Sequence, residues 1–498
     1  MKRVLPFSAI LALLGAHSLF YPPGRDQGTF LYMGWQMLEG KLPYIDLWDV
    51  KPPAIHIVYA VSELVFGHNT WGIRALDLIW QVLTALAILA FATRHYESRL
   101  PGIAGAIIYV FTYFRYDYWN TAQPDGMMNL FIALGFLLAT GTRQALWFLS
   151  GAAVGIAFWF KYPAGAFILP LLALLIGHKK RTPVLWGAAG FAASITAGAL
   201  LLACFGMLRP LVSTLLQTVT GYTASGLSSL AYAKRILLQI SSFDIPFGSS
   251  APLWFFALVA LISSERDSPF EPLLILAGLI CTAVQGKIFP YHALPLVFAL
   301  SLTAGHGFAI AWASAKRFPV RRALFYLLVC LMTLDGLYFR LVCASAGIRS
   351  LNRYGSILPA YVVLAKDAND KNAFKVAEYI RERTAPDDTI YIWGFEPLIY
   401  YLSERRCPSR FIYNTPLFGA FHRPGNRTEL LEDLKRAAPA YMIVVRGDVL
   451  EYVTGTRMDS YGALSAFPEL KGFIERNYEP ERTIANFIIL SRTRPTAR

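Results

Sequence analysis

Nine polar side chains stand where an otherwise apolar chain could do chemistry: Asp26, Asp46, Asp49, Lys51, Asp117, Asp125, Lys161, Lys287 and His292. A carboxylate can serve as a general base or a metal ligand. A lysine binds phosphate as a point charge. Asp26 leads the set. It lies in Tyr21-Pro-Pro-Gly-Arg-Asp-Gln-Gly-Thr29, directly after the first apolar segment. An acid close to the end of a membrane span is costly to desolvate, which makes it a functional candidate. Arg25 beside it, and Arg74 further on, add cations that could meet an anionic group.

Each of these residues also has a plain structural reading. Asp46 and Asp49, in Pro43-Tyr-Ile-Asp-Leu-Trp-Asp49, suit turns and caps. Asp125, in Gln123-Pro-Asp125, could cap the helix that follows. Lys51, Lys161 and Lys287 could snorkel at span ends. Arg74 and Asp77 are one helical turn apart and could simply pair. His292 after Tyr291 could be an interfacial anchor. The stronger signal is shared location, because the chain's topology puts all nine on one membrane face.

That topology follows from composition. Of 498 residues, 55% are hydrophobic and only 16% charged, against about 25% charged in a soluble domain. Segments near the ~20 apolar residues that a helix needs to cross a bilayer fall at 4–20, 72–93, 101–115, 126–141, 145–160, 163–177, 184–206, 251–264, 271–286, 290–314 and 323–343. About eleven spans result. Residues 4–20 lack a small-residue cleavage site and read as an uncleaved first helix. With the N-terminus inside, the inner loops hold basic residues from Lys2 and Arg3 through Arg94, Arg99 and Arg143 to Lys316–Arg322, and few acids. This obeys the positive-inside rule, places the N-terminus in the cytoplasm, and puts everything after residue 343 outside the plasma (inner) membrane. Within the long first outer loop, 28–40 and 53–66 are apolar-rich but short, and read as interfacial helices. Residues 207–250 read as a second long outer loop.

From 344 the composition is that of a soluble domain. Helical spacing over Ala373–Arg383, a strand at Thr389–Trp393, short helices at Pro397–Ser403 and Leu430–Ala437, and a strand at Tyr441–Val445 predict a small α/β domain. The division is thus a transmembrane domain, 1–343, and an extracytoplasmic domain, 344–498. The net charge of +14 is spread over span ends rather than gathered on one face, so nucleic acid is not a partner. The five cysteines have no metal spacing, and Cys343 and Cys407 could face an oxidising compartment and pair. There is no P-loop, zinc motif or Gly-x-Ser-x-Gly elbow.

At these residues the chain resembles the GT-C superfamily of polytopic glycosyltransferases, in the branch near protein O-mannosyltransferases and lipid A aminoarabinose transferases. The resemblance rests on Arg25-Asp-Gln-Gly28, Gly40-Lys-Leu-Pro-Tyr44, Trp48-Asp-Val-Lys-Pro-Pro53, Gln123-Pro-Asp125, Phe160-Lys-Tyr162 and Gly286-Lys-Ile-Phe-Pro-Tyr-His292. It covers roughly residues 1–300. It implies transfer of a sugar from a polyprenyl-phosphate donor to a lipid, glycan or protein acceptor outside the membrane. Asp26 would be the base and Lys51 the donor-phosphate ligand, with Lys161, Lys287, His292, Arg25 and Arg74 as further candidates for that phosphate. Many relatives carry a second acid after the first. Here that position is Gln27, which makes Asp125 the candidate second acid. A divalent metal stays open. The other readings are a lipid-linked glycan flippase, an O-antigen-type polymerase or ligase, and a non-catalytic scaffold. A transporter would be expected to show paired broken helices related by a repeat, and none is evident.

Overall fold

The computed structural model describes residues 4–224, 229–242, 250–263, 269–287, 289–354, 360, 363–365 and 368–493. Among the described residues, fifteen α-helices precede the C-terminal domain: α1 Val4–Gly15, α2 Arg25–Leu38, α3 Pro53–Phe66, α4 Gly72–His95, α5 Arg99–Tyr113, α6 Pro124–Ala139, α7 Gln144–Phe158, α8 Ile168–Ile176, α9 Arg181–Cys204, α10 Leu208–Ala224, α11 Ser229–Ser242, α12 Ala251–Ser263, α13 Phe270–Ala283, α14 Leu294–Ala315 and α15 Pro319–Tyr354. All eleven expected spans fall on helices. Among the described residues, four are long and apolar enough to cross a bilayer alone: Gly72–His95, Arg181–Cys204, Pro290–Ala315 and Pro319–Arg353. Several others are shorter. At 1.5 Å per residue, the 14 residues of α13 cover only about 21 Å, less than the ~30 Å hydrocarbon core. Hydropathy overestimates these helices because apolar turn residues continue the run past the helix end. The chain is a multi-pass helical membrane protein.

Glycines let the bundle's helices meet backbone to backbone. Gly151 and Gly190 sit against carbonyls across the α7–α9 contact, Gly307 against the Phe256 carbonyl of α12, and Gly305 against Gly105 of α5. Small residues at such contacts trade hydrophobic driving force, absent in lipid, for close van der Waals packing.

The first outer loop holds both expected interfacial helices. The axis of α2 lies at 93° to the helical segment Leu5–Phe20 before it. The helix begins at Arg25 rather than 28, so Asp26 is in its first turn and not in a loop. Gly28 makes room for a close approach by Leu398 of the C-terminal domain. The expected loop at 207–250 contains helices α10 and α11. The last span runs on past 343 to Tyr354.

The C-terminal domain carries a four-stranded sheet in the order β1-β2-β4-β3, with β1 Ile390–Trp393, β2 Tyr441–Val445, β3 Tyr478–Ile484 and β4 Phe487–Arg492. β1 and β2 are parallel and fully buried, joined through the helices Leu398–Ser403 and Pro424–Ala437. β3 and β4 form an antiparallel hairpin. The hairpin was not expected, because β3 shows water five consecutive exposed residues instead of an alternating pattern. Cys343 and Cys407 are free thiols, as are the other three. Cys343 packs with Tyr21 and Tyr118, whereas the Cys407 backbone N–H donates to Tyr32.

Candidate active site

Asp26 opens α2 and points into a cleft between the membrane domain and the C-terminal domain. The cleft encloses about 840 Å³ including its mouth, and its walls include Arg25, Asp26, Asp49, Lys51, Trp119, Gln123, Tyr291, Phe395 and Tyr413. Lys51 Nζ lies 3.7 Å from Asp26 Oδ2 and donates to the Tyr291 hydroxyl at 3.2 Å. Gln123 Nε2 donates to the same Asp26 oxygen at 3.3 Å. Asp26 keeps 24% of its side-chain surface exposed, unlike the buried acids around it.

Gln27 also borders the cleft, but its amide is committed to the loops. Its Nε2 donates to the carbonyls of Trp119 (3.0 Å) and Thr121 (2.8 Å), and its Oε1 accepts from Gly24 N–H. An amide satisfies all three partners; a carboxylate would face two carbonyl oxygens. The position where the resemblance leads one to expect a second acid therefore ties loops together here. Among the described residues, no three of His, Cys, Asp and Glu converge as a metal ligand set, and Asp26 alone offers a cleft-facing carboxylate with open surface.

Lys51 is aimed by its own motif. Its backbone N–H leans on Asp49 Oδ2 at 3.4 Å, a turn contact of the kind expected. Pro52 precedes α3 in extended conformation and Pro53 starts it, where a missing N–H costs nothing. Asp49 is locked: His56 Nε2 from α3 contacts Oδ2 at 3.2 Å, and the Tyr413 hydroxyl donates to Oδ1 at 2.8 Å. Burial alone would push the Asp49 carboxyl up. His56, with help from Lys51 and Tyr413, outweighs that and holds it below the usual carboxylate range.

Behind the Tyr291 ring lies a second cavity of about 660 Å³, lined by Lys161, Gln285 and His292 among others. It shares Val50, Lys51, Phe289 and Tyr291 with the cleft. The ammonium groups of Lys51 and Lys161 lie 5.2 and 5.5 Å from the Tyr291 ring centroid. Burial lowers Lys161 to about 8, although Asp125 opposes the shift. Asp125 does not reach the cleft. It is fully buried, with Oδ2 3.1 Å from Lys161 Nζ and Oδ1 accepting from Gln285 Nε2 at 2.8 Å. Asp125, the expected second acid, thus pairs with Lys161 and stands outside the cleft. His292 accepts from Phe289 N–H at 3.3 Å. Lys287, lowered to about 8 by burial, sits in the same turn, outside the described walls of both cavities.

Arg74 is not brought to the site, nor does it simply pair with Asp77. Its guanidinium donates to the carbonyls of Pro22, Tyr118 and Thr121, bracing the first loop against the second. Asp77 accepts from Ala122 N–H and the Tyr113 hydroxyl, pinning Ala122 at a positive φ of 55°. Asp117 and Asp46 shape their own loops, Asp117 accepting from Asn120 Nδ2 and Asp46 from Leu42 N–H. Arg25 does line the cleft, but its Nε is 3.0 Å from Glu396 Oε1 in the C-terminal domain. Sequence reasoning missed Gln123, Tyr291, His56, Tyr413 and Glu396 as site residues. Gln123 and Tyr291 stand inside quoted motifs and were within reach; Tyr413 and Glu396 carry no local signal.

Residues 50–205 match the family model described as dolichyl-phosphate-mannose-protein mannosyltransferase. A dolichol phosphate-mannose mannosyltransferase of Haloferax volcanii is 20% identical over 58% of this chain and 63% of its own length. An undecaprenyl phosphate-alpha-4-amino-4-deoxy-L-arabinose arabinosyl transferase of Pseudomonas aeruginosa is 27% identical over 33% of this chain and 32% of its own. The chain therefore spans less than two thirds of these relatives. Among solved structures, ArnT from Cupriavidus metallidurans matches 98% of this chain and 97% of its own at 14% identity, with TM-scores of 0.60 bound to undecaprenyl phosphate and 0.62 in the apo state. The likeness is one of fold, and it takes in nearly the whole chain. The fold thus continues through the C-terminal domain, beyond the span of the family match.

Proposed function

We propose that the protein transfers a sugar from a polyprenyl-phosphate carrier to an acceptor hydroxyl at the outer face of the inner membrane. In this reading the N-terminus is cytoplasmic and residues 344–498 are extracytoplasmic. The observation that carries it is the Asp26–Lys51 pair at the wall between two cavities, one open to the C-terminal domain and one lined by lysines. A candidate base and a candidate phosphate ligand thus stand side by side, Asp26 on the cleft and Lys51 on both spaces. An apolar groove of about 1140 Å³, lined by Pro53, Ile57, Ile156, Trp159 and Leu201 among others, begins one residue beyond Pro52 of the lysine-lined cavity. It suits a prenyl tail. Relatives named for undecaprenyl phosphate-linked and dolichol phosphate-linked sugars support the same donor class.

The step is a single displacement. Asp26 takes the proton of the acceptor hydroxyl as its oxygen bonds to the anomeric carbon. The bond from that carbon to the phosphate oxygen breaks, its electron pair staying on the phosphate. Lys51 and Lys161 stabilise the charge that builds there.

Purified protein offered undecaprenyl-phosphate-linked 4-amino-4-deoxy-L-arabinose, undecaprenyl-phosphate mannose and dolichyl-phosphate mannose, with a cell-envelope extract as acceptor, should release the carrier phosphate from at least one. Asp26→Asn should lower that rate about 10²–10⁴-fold while undecaprenyl phosphate still binds. Near wild-type turnover by Asp26→Asn would remove Asp26 as the base. Lys51→Ala should weaken donor use about tenfold or more, the worth of one charge-assisted hydrogen bond, with acceptor use less affected.

A further inference from the structure

Asp26 and Lys51 meet from separate elements, one on the first turn of α2 and the other on the extended stretch before α3. Each is flanked by a residue gripped from the C-terminal domain. Next to Asp26, Arg25 Nε lies 3.0 Å from Glu396 Oε1, and Asn369 Nδ2 donates to the same oxygen at 2.6 Å. Two residues before Lys51, Asp49 Oδ1 accepts from the Tyr413 hydroxyl at 2.8 Å. The two grips belong to one packed unit. Phe395, adjacent to Glu396, packs its ring on Tyr413 with centroids 4.5 Å apart. The Asn414 N–H donates to the Gly394 carbonyl at 3.2 Å. Glu396 and Tyr413 are therefore held at a set separation by the C-terminal domain, and their partners on the membrane domain inherit it.

We propose that Glu396 and Tyr413 are positioning residues through which the C-terminal domain sets the distance and orientation of Asp26 and Lys51. The inference rests on the reading of Asp26 as base and Lys51 as phosphate ligand. Neither grip is needed to dock the domain. Tyr32 accepts from Cys407 N–H, the Tyr401 hydroxyl donates to Glu63, and Trp48 N–H donates to the Arg410 carbonyl. Removing one hydroxyl or one charge should leave that interface closed. It would free the turns carrying the pair, and an ångström of misplacement can cost about 10²-fold in rate.

Two measurements on the full-length protein in detergent test this, with Tyr413→Phe, Glu396→Gln and, as control, Arg436→Gln in an exposed helical pair. The first is acylation of Lys51 by sulfo-NHS acetate, read by peptide mass spectrometry. The Tyr413→Phe and Glu396→Gln proteins should label several-fold faster than wild type, and the control should not. Unchanged labelling in both overturns the proposal, whatever the turnover. The second is donor turnover. Each variant should lose about tenfold or more in kcat with donor KM within about twofold and a melting temperature no lower than wild type. A loss that travels with a lowered melting temperature, or kcat unchanged in both variants, also overturns it. Should the wild-type protein turn over no donor, the functional reading fails, and the labelling result alone still decides the clamp.

Discussion

At the scale of single residues, Gln27 shows how one side chain fixes the chemistry available beside it. Its amide joins the first outer loop to the second by two donated hydrogen bonds, while its oxygen accepts from Gly24 N–H at the start of its own helix. Gln27→Glu would not restore a second catalytic acid. It would press a carboxylate against two carbonyl oxygens, and should cost about 1–3 kcal/mol, seen as a lower melting temperature with no gain in turnover. Lys161 supplies a second test. Its pKa is lowered to about 8, so it loses its charge as pH rises through that value. Undecaprenyl phosphate should bind more weakly at pH 9 than at pH 7, and Lys161→Met should flatten the dependence, leaving any part due to Lys287. Titration by fluorescence quenching across that range checks both. Asp26 and Lys51 were legible in the sequence because their motifs are local and unusual in an apolar chain. The roles of Gln27 and Asp125 were not. Gln27 depends on carbonyls 92 and 94 residues away, and Asp125 on an amide 160 residues away.

At the scale of elements, hydropathy located the helices well and their ends poorly. Helices α10 and α11 were read as a loop because Ser, Thr and Tyr are frequent there, and only the amphipathic pattern could have shown them. The tightest element contacts lie where glycine is irreplaceable. A side chain at Gly307 would run into the Phe256 carbonyl. Gly307→Leu should therefore separate α12 from α14 and cost about 1–3 kcal/mol or more, measured as lost monodispersity and earlier melting. At Ala122 the reverse holds. Its φ of 55° suits glycine better, so Ala122→Gly should leave stability unchanged or raise it by up to about 1 kcal/mol, provided Asp77 still holds the peptide.

At the scale of the whole molecule, the division into an apolar bundle and a small α/β domain could be read from composition alone. The way the two meet could not, since Arg25 and Glu396 stand 371 positions apart. That contact has a pH signature. Burial pushes Glu396 up to about 8 despite Arg25, with Asp370 and Asp448 adding to the rise. A carboxyl whose folded pKa is raised stabilises the fold below its unfolded value, and that contribution is lost as pH climbs toward the folded one. Melting temperature should fall between about pH 5 and 9, and Glu396→Gln should remove much of the slope. Cysteine labelling from the two sides of the membrane checks the assembly in the bilayer. Positions 26 and 420 should react from the outside, and the loops Arg94–Arg99 and Lys316–Arg322 from the inside.

The distance along the chain between the two halves of the clamp has a consequence in time. A ribosome finishes Asp26 and Lys51 long before Glu396 and Tyr413 exist. During synthesis the early helices enter the membrane while the outer grips on Asp26 and Lys51 are still missing. Reactivity would then switch on only when the C-terminal domain has crossed and folded. A chain truncated before the C-terminal domain should insert, bind carrier and remain silent. Quality control of this kind needs no inhibitor, because folding of the C-terminal domain is itself the trigger.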